Sequence, residues 1–306
     1  MYDVIIIGSG SAGLTAALYA VRREMKVLVL GEVLGGQLTL AGEIENYPGF
    51  KSIQAYQLID NMFKQVKEAG VEIRDARVEK IIKEPSGHFS LKTKTETLEA
   101  KTVIVAMGLL PRKLNVEGEA EFSGKGVSYC ANCDGPFFRD KRVMVVGGGN
   151  SALDAAEVLS KIASQVYLVH RSDQFKAFDS LVSQVKAKDN IEIITHAELK
   201  KIVGTDKVEK VLIEKNDTQG EMREIELEGV FIEIGRIAST ELLAELVDRD
   251  ASAQVLVNER METKTPGLFV AGDVTSSEFK QLTIANGQAT IAALSAYQYL
   301  QLAGDN

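Results

Sequence analysis

Cys130 and Cys133 are the only cysteines in this chain of 306 residues, and they stand Cys-x-x-Cys in the stretch SYCANCDGPF, with the acid Asp134 directly behind them. Residues of this type at this spacing support two kinds of chemistry. They can supply half of a tetrahedral zinc site, or they can form a dithiol that opens and closes by thiol–disulfide exchange. The chain has no second cysteine pair, and its only histidines are His88, His170 and His196, which form no cluster in the sequence. A zinc site would therefore need four cysteines shared between two copies of the chain. The sequence predicts a redox pair and no metal. Thiolate is the reactive form of cysteine, so a neighbouring group has to move protons. Asp134 is placed for that work; its other reading is an Asp-Gly turn cap.

Bulk properties narrow the setting. The formal charge of −8 disfavours nucleic acid or an anionic membrane as main partner, and no Lys/Arg run opposes that. The N-terminus MYDVIIIGSG carries an apolar run far too short to span a membrane, without the basic start or cleavage site of a signal peptide. A cytoplasmic protein is expected, where a close cysteine pair is more often catalytic or metal-binding than a structural staple. At 306 residues the chain exceeds the size at which one core stops growing, so two domains are expected.

Two further elements position the chemistry. In YDVIIIGSGSAGLTAALYAVRREMKVLVLG, a buried run (Val4 to Ile7) leads into Gly8-x-Gly10-x-x-Gly13, then a helical Ala/Leu stretch and a second buried run, Val27 to Leu30. This is strand, tight turn, helix, strand. The first glycine permits the turn, the second lets backbone approach a pyrophosphate, and the third lets helix and strand pack closely. The helix N-terminus then offers free N–H groups to phosphate. The pattern returns in KRVMVVGGGNSALDAAEVLSKIASQVYLVHR as Gly147-x-Gly149-x-x-Ala152 between the strands Val143 to Val146 and Val166 to Val169. After each unit comes a run of short alternating strands ending in an apolar strand and a glycine, Gly108 and Gly235. Two copies of one dinucleotide-binding unit are expected, each with a small antiparallel layer. Near the C-terminus, Leu268 to Ala271 reads as a strand ending in Gly272-Asp273, with a long apolar helix from about Leu282. An acid there suits a sugar or ribityl hydroxyl, or simply a helix N-terminus.

The pieces GSGSAGLTAALYA, GGQLT, IENYPGF, SYCANCDGPFF, GGGNSALDAA, VHRSDQFKA and TPGLFVAGDVTSSEFKQL span nearly the whole chain. In type and order they resemble the low-molecular-weight thioredoxin reductases, within the two-dinucleotide flavoprotein disulfide reductases. The cysteine pair lies just before the second glycine loop, as in that family, and the C-terminal helix lacks histidine. The resemblance implies an α/β fold of two Rossmann-like, three-layer domains binding FAD and NAD(P). An FAD domain would be built from residues 1–112 and 243–306, with an NADPH domain, residues 113–242, inserted between and able to swivel on its two connections.

The resemblance also implies roles. FAD would be held by Gly8, Gly10 and Gly13 at the pyrophosphate, with Glu32 near the adenosine end and Ser9, Ala12, Gly35, Gly36, Val78, Gly108 and Gly272 also among the FAD-binding residues. Gln37, Leu38 and Asn46 would sit around the flavin ring, and Asp273, Lys280, Gln281 and Leu282 would lie along ribityl and ring. Gln37 and Asn46 read equally as surface loop amides. NADPH would be held by Gly149, Asn150, Ser151, Arg171, Ser172 and Lys176. Cys133 would face the flavin and Cys130 would attack the disulfide of thioredoxin or a glutaredoxin-like protein, within a homodimer.

The chain departs from that family in two places. The usual His-Arg-Arg-x-x-x-Arg is His170-Arg171-Ser172-Asp173-Gln174-Phe175-Lys176, and Arg-Gln-Ala is Lys280-Gln281-Leu282. Lysine is a point charge where arginine grips a phosphate bidentately, so weaker discrimination between NADPH and NADH is expected. NADH or a ferredoxin-like donor, a peroxiredoxin-linked target and a redox-sensing flavoprotein without turnover stay open as alternatives.

Overall fold

The computed structural model describes residues 1–40, 43–44, 46–216 and 220–304; the side chains of Leu40, Glu43, Cys133, Ala303 and Gly304 lie outside the described residues. The chain divides into two compact units, Met1–Leu110 with Ile237–Asn306, and Pro111–Arg236.

The first unit opens with β1 (Tyr2–Ile7), α1 (Ser11–Val21) and β2 (Val27–Leu30), then α2 (Ala55–Glu68) and β3 (Glu72–Arg74). An antiparallel meander follows: β4 (Val78–Lys83), β5 (Phe89–Thr93) and β6 (Thr97–Val105). The strand order is β3-β2-β1-β6-β5-β4. Strand β6 is where this sheet changes from antiparallel to parallel pairing. Its first half pairs antiparallel with β5, and its second half, where Val103, Ile104 and Val105 are wholly buried, runs parallel to β1. Continuous burial on both faces is what a strand between helical layers requires, and it explains the unbroken apolar run.

The second unit holds β7 (Val127–Ser128), the one-turn α3 (Ala131–Asp134), β8 (Arg142–Val146), α4 (Asn150–Ser160), β9 (Gln165–Val169), α5 (Asp179–Lys186) and β10 (Ile191–Ile194). It continues with β11 (Ala197–Gly204), β12 (Val208–Lys215), β13 (Glu221–Glu226) and β14 (Gly229–Ile232). A parallel sheet runs β7-β14-β8-β9-β10, beside a separate antiparallel sheet β11-β12-β13. The repeat expected from the sequence is therefore real at the level of topology: a parallel sheet behind each glycine loop, and an antiparallel layer after it.

The chain then returns to the first unit with β15 (Leu268–Val270), which pairs parallel with β6, and α6 (Leu282–Gly304). Helix α6 packs on α1 through alanines: Ala289, Ala292, Ala293 and Ala296 share a core cluster with Ala16, Ala17 and Ala20, all seven wholly buried. Small side chains let two helix backbones approach closely, so α6 is tied to the helix that begins at the first glycine loop.

Candidate redox and dinucleotide-binding sites

The two glycine loops are built alike, and their backbones separate what the fold needs from what it does not. Gly8 has φ +112°, and a Cβ there would strike the carbonyl of Ala106. Gly147 has φ +150° and abuts the carbonyl of Glu233 in the same way. A Cβ at Gly13 would strike the Gly8 carbonyl, while Ala152, its counterpart, is wholly buried. These glycines and the alanine are explained by the fold. The middle glycines are not. Gly10 has an ordinary φ of −75°, and a Cβ would come no closer than 3.8 Å to any atom beyond its chain neighbours, at Gly36 Cα. Gly149, at φ −96°, would come no closer than 3.8 Å, at the Lys176 carbonyl. Each is the N-cap of its helix, and neither helix has a side-chain cap bond. A bare backbone with no internal reason to be bare, at an uncapped helix N-terminus, fits a pyrophosphate pressed against it.

Around the first loop the fold gathers segments that are remote in sequence. The Gly35 N–H donates to the Ser9 carbonyl at 2.8 Å, laying Gly35 and Gly36 against Gly10, and the buried Ser9 hydroxyl donates to the Val33 carbonyl at 3.1 Å. Gln37 Nε2 donates to Asp273 Oδ2 at 3.4 Å, and a Cβ on Gly108 would come 3.5 Å from that same amide nitrogen. Asn46 Nδ2 donates to Gln281 Oε1 at 3.3 Å. Ala12 lies against Gly272, whose N–H donates to Gln288 Oε1 at 2.9 Å. Leu38 and Leu282 pack on one small apolar cluster. Lys280 Nζ donates to the Thr275 carbonyl and to Gln254 Oε1; burial pushes its ammonium below the ordinary lysine value, against the pull of Asp273 and Asp250. Glu32 is exposed after β2 and faces Arg77 at 3.7 Å, and Val78 is buried at the start of β4. Gln288 and Gln254 carry no motif of their own; only the packing of α6 and the 249–255 turn shows their part.

At the second loop, the Lys176 N–H donates to the Gly148 carbonyl at 2.7 Å, and the His170 ring lies against Gly148, stacked on Phe175 at 5.3 Å. Ser172 is engaged with His170 Nε2 at 2.8 Å and the Gln174 carbonyl at 3.2 Å. Asn150 Oδ1 accepts from the Phe178 N–H, and Ser151 is exposed on α4. Arg171 and Lys176 are exposed, and among the described residues neither forms an ion pair, so both cations are free for an anion. One acid was not anticipated. Glu233 follows β14 and donates its N–H to the Val146 carbonyl, beside the loop. Burial lifts its carboxyl to about 7, Asp154 adds to the rise, and Arg236 opposes it. An acid ending a parallel strand was the signal that could have found it.

In the redox segment, Cys130 is 7% exposed and disulfide-bonded, and Cys133 is the only other cysteine in the chain. The Cys133 side chain lies outside the described residues, though its backbone is in α3. The Asp134 N–H donates to the Cys130 carbonyl at 3.2 Å, and Asp134 Oδ2 accepts from the Ser128 hydroxyl at 2.6 Å. Beside the pair, Tyr129 donates its phenol to Glu119 Oε1 at 2.7 Å; burial, then that bond, hold the phenol well above its ordinary ionisation range. Glu119 is 3% exposed and also accepts the N–H groups of Leu114 and Asn115. Among the described residues no cluster of three or more His, Cys, Asp or Glu could hold a metal ion.

Two Rossmann-type units, each with a glycine loop at a helix N-terminus, and a disulfide at the buried Cys130 are the features of a dinucleotide-dependent disulfide oxidoreductase. The profile of the pyridine nucleotide-disulphide oxidoreductases matches residues 2–289. A thioredoxin reductase of Treponema pallidum is 38% identical over 98% of this chain and 97% of its own length. A bifunctional thioredoxin reductase/thioredoxin of Mycobacterium leprae is also 38% identical over 98% of this chain, and there the match spans only 66% of the relative. Crystal structures of thioredoxin reductases from Lactococcus lactis (36% identity, 99% of this chain and 100% of that one, TM-score 0.88) and T. acidophilum (38%, 97% and 98%, TM-score 0.84) share the fold. The chain belongs to the pyridine nucleotide-disulphide oxidoreductases, and it is an FAD-dependent oxidoreductase that acts with a pyridine nucleotide.

Proposed function

We propose that this chain is a thioredoxin-disulfide reductase, in which electrons pass from NADPH through FAD to the Cys130–Cys133 pair and on to thioredoxin or a glutaredoxin-like protein. The observation that carries it is Cys130, disulfide-bonded and buried two residues beyond a strand of the unit that holds the second glycine loop. Full-length similarity to proteins named thioredoxin reductase supports the partner. Residues 1–112 with 243–306 would hold FAD, through the Gly8–Gly13 loop and the Gln37, Asn46, Asp273 and Gln281 groups gathered beside it. Residues 113–242 would hold NADPH, through Gly149, Asn150 and Ser151 at the N-terminus of α4, with Arg171 and Lys176 as the available cations.

Bound FAD supplies the relay between a nicotinamide hydride and a disulfide. The rest falls to the chain. Once reduced, Cys130 as thiolate attacks one sulfur of the partner disulfide and forms a mixed disulfide, releasing one partner thiolate. The Cys133 thiol gives its proton to Asp134, and its sulfur attacks Cys130. The bond from Cys130 to the partner breaks as the Cys130–Cys133 bond forms, and Asp134 passes the proton to a partner thiolate. Asp134 ends as it began, and two electrons have moved to the partner. The family resemblance supports a homodimer working in the cytoplasm.

A second reading concerns the donor. Serine and lysine stand at positions 172 and 176 where the family's arginines would grip a 2′-phosphate, which favours tolerance of NADH. Anaerobic titration of the yellow protein with NADPH and with NADH, followed by addition of oxidised thioredoxin, tests both readings. Cys133→Ser should keep the bleaching by nicotinamide and lose all reduction of thioredoxin. A flavin band untouched by either nicotinamide would sink the nicotinamide assignment, and bleaching without turnover would leave a redox sensor.

A further inference from the structure

Ser128 joins Cys130 to Asp134, and neither the Cys-x-x-Cys motif nor the exchange chemistry calls for it. It ends strand β7, is 4% exposed, and its hydroxyl sits between the two groups. The Cys130 N–H donates to Ser128 Oγ at 3.0 Å, and Oγ donates to Asp134 Oδ2 at 2.6 Å. The Cys130 carbonyl also lies 3.2 Å from Oγ. A hydroxyl has one hydrogen to give, and the shorter contact to a carboxylate is the charge-assisted one, so the hydrogen belongs to Asp134.

The result is a closed ring of bonds from the amide of residue 130 through the hydroxyl of 128 to the carboxyl of 134. Asp134 needs such a hold. It ends a helix of four residues, and one turn leaves several rotamers open to a short, half-buried carboxylate. Strand β7, by contrast, is fixed, because it pairs with β14 in the buried parallel sheet through Val127 and Ser128. Ser128 thus ties a side chain on a marginal helix to the rigid part of the unit.

We propose that Ser128 is a positioning residue for the Asp134 carboxyl, holding Oδ2 and leaving the other oxygen to exchange protons with the dithiol. This rests on the reading of Asp134 as the proton carrier of a dithiol reductase. Ser128 keeps its own hydrogen throughout, so the proton count of the exchange is unchanged: the proton leaves the Cys133 thiol, rests on Asp134 and goes to the partner thiolate.

The test is a double-mutant cycle in the FAD-loaded enzyme, with NADPH and oxidised thioredoxin. Ser128→Ala should lower kcat about tenfold, a part of the 10²–10⁴ that a positioned acid–base group contributes. The KM for NADPH should stay unchanged, and Ser128→Thr, which keeps the hydroxyl, should recover most of the loss. Asp134→Asn should cost more, and adding Ser128→Ala to it should cost nothing further. Opening of the disulfide by dithiothreitol, followed by thiol alkylation, gives the same comparison without nicotinamide or flavin. A role confined to the fold would act through the loss of the bond from the Cys130 N–H to Ser128 Oγ; it would lower Tm and slow the double variant below Asp134→Asn. Such additive losses would overturn the proposal while leaving Asp134 in its role. Full activity in Asp134→Asn, or no turnover in the wild-type enzyme, would overturn both.

Discussion

Gly8 and Gly10 are two residues apart in one loop, and a methyl group added to each should fail in a different way. At Gly8 the backbone is left-handed and the Ala106 carbonyl occupies the space, so Gly8→Ala should destabilise the apoprotein itself. At Gly10 the protein leaves room, so Gly10→Ala should fold with an unchanged apoprotein Tm and yet bind FAD at least about tenfold more weakly, because the Cβ stands where the pyrophosphate must approach. Apoprotein calorimetry with FAD titration checks the pair; equal loss of stability in both would refute this division of roles. At the second loop the free cations are Arg171 and Lys176, while the Ser172 hydroxyl is already turned to His170 and Gln174. Ser172→Arg with Lys176→Arg should therefore shift preference toward NADPH over NADH by roughly tenfold or more, each charge-assisted bond contributing about 1.5–3 kcal/mol. Steady-state KM values for the two dinucleotides measure it, and an unchanged ratio would mean the 2′-phosphate binds elsewhere.

Among the elements, the end of β14 holds the least comfortable charge beside a functional loop. Glu233 is raised to about 7 by burial, with Asp154 adding and Arg236 opposing. Between the ordinary glutamate value of about 4.3 and that raised value, the unfolded chain binds fewer protons than the folded one. Its contribution is thus most favourable below about pH 4, declines as pH rises toward about 7, and is flat above. Glu233→Gln should remove that slope. Its stability advantage over the parent should be small near pH 4 and grow to on the order of 1–3 kcal/mol by about pH 8. Denaturant unfolding across that range decides it; an advantage constant with pH would show that Glu233 is not the titrating group. The redox segment shows the opposite design, since buried Glu119 accepts three donors, from Leu114, Asn115 and Tyr129, and is satisfied.

For the whole molecule, the chain's two units have separate cores, each behind its own glycine loop. Flavin retention and nicotinamide binding should therefore be separable by mutation: Gly10→Val should abolish FAD uptake while the protein still binds NADPH, as read by equilibrium dialysis of the apoprotein. The proposed homodimer is a further property at this scale. Sedimentation at micromolar concentration should give about twice the 33.3 kDa of one chain, and a monomer there would count against it.

Local features of the chain were legible because their physics is local. A glycine loop, an uncapped helix start and a Cys-x-x-Cys pair each lie within a dozen residues, so Gly8, Gly10, Gly13, Gly149 and Cys130 could be assigned work from spacing and residue type. The doubled architecture was legible for the same reason, since each strand–turn–helix unit repeats its own hydrophobic pattern. The tertiary structure alone decided which remote groups meet. Gln37 and Asp273 are 236 positions apart, and Asn46 and Gln281 are 235 apart; only the return of the chain to the first unit brings each pair within hydrogen-bond distance. It also decided the state of single groups. Burial, which no residue carries in its own identity, lifts Glu233. The pairing of β7 with β14 turns Ser128 from one more loop hydroxyl into the anchor of Asp134.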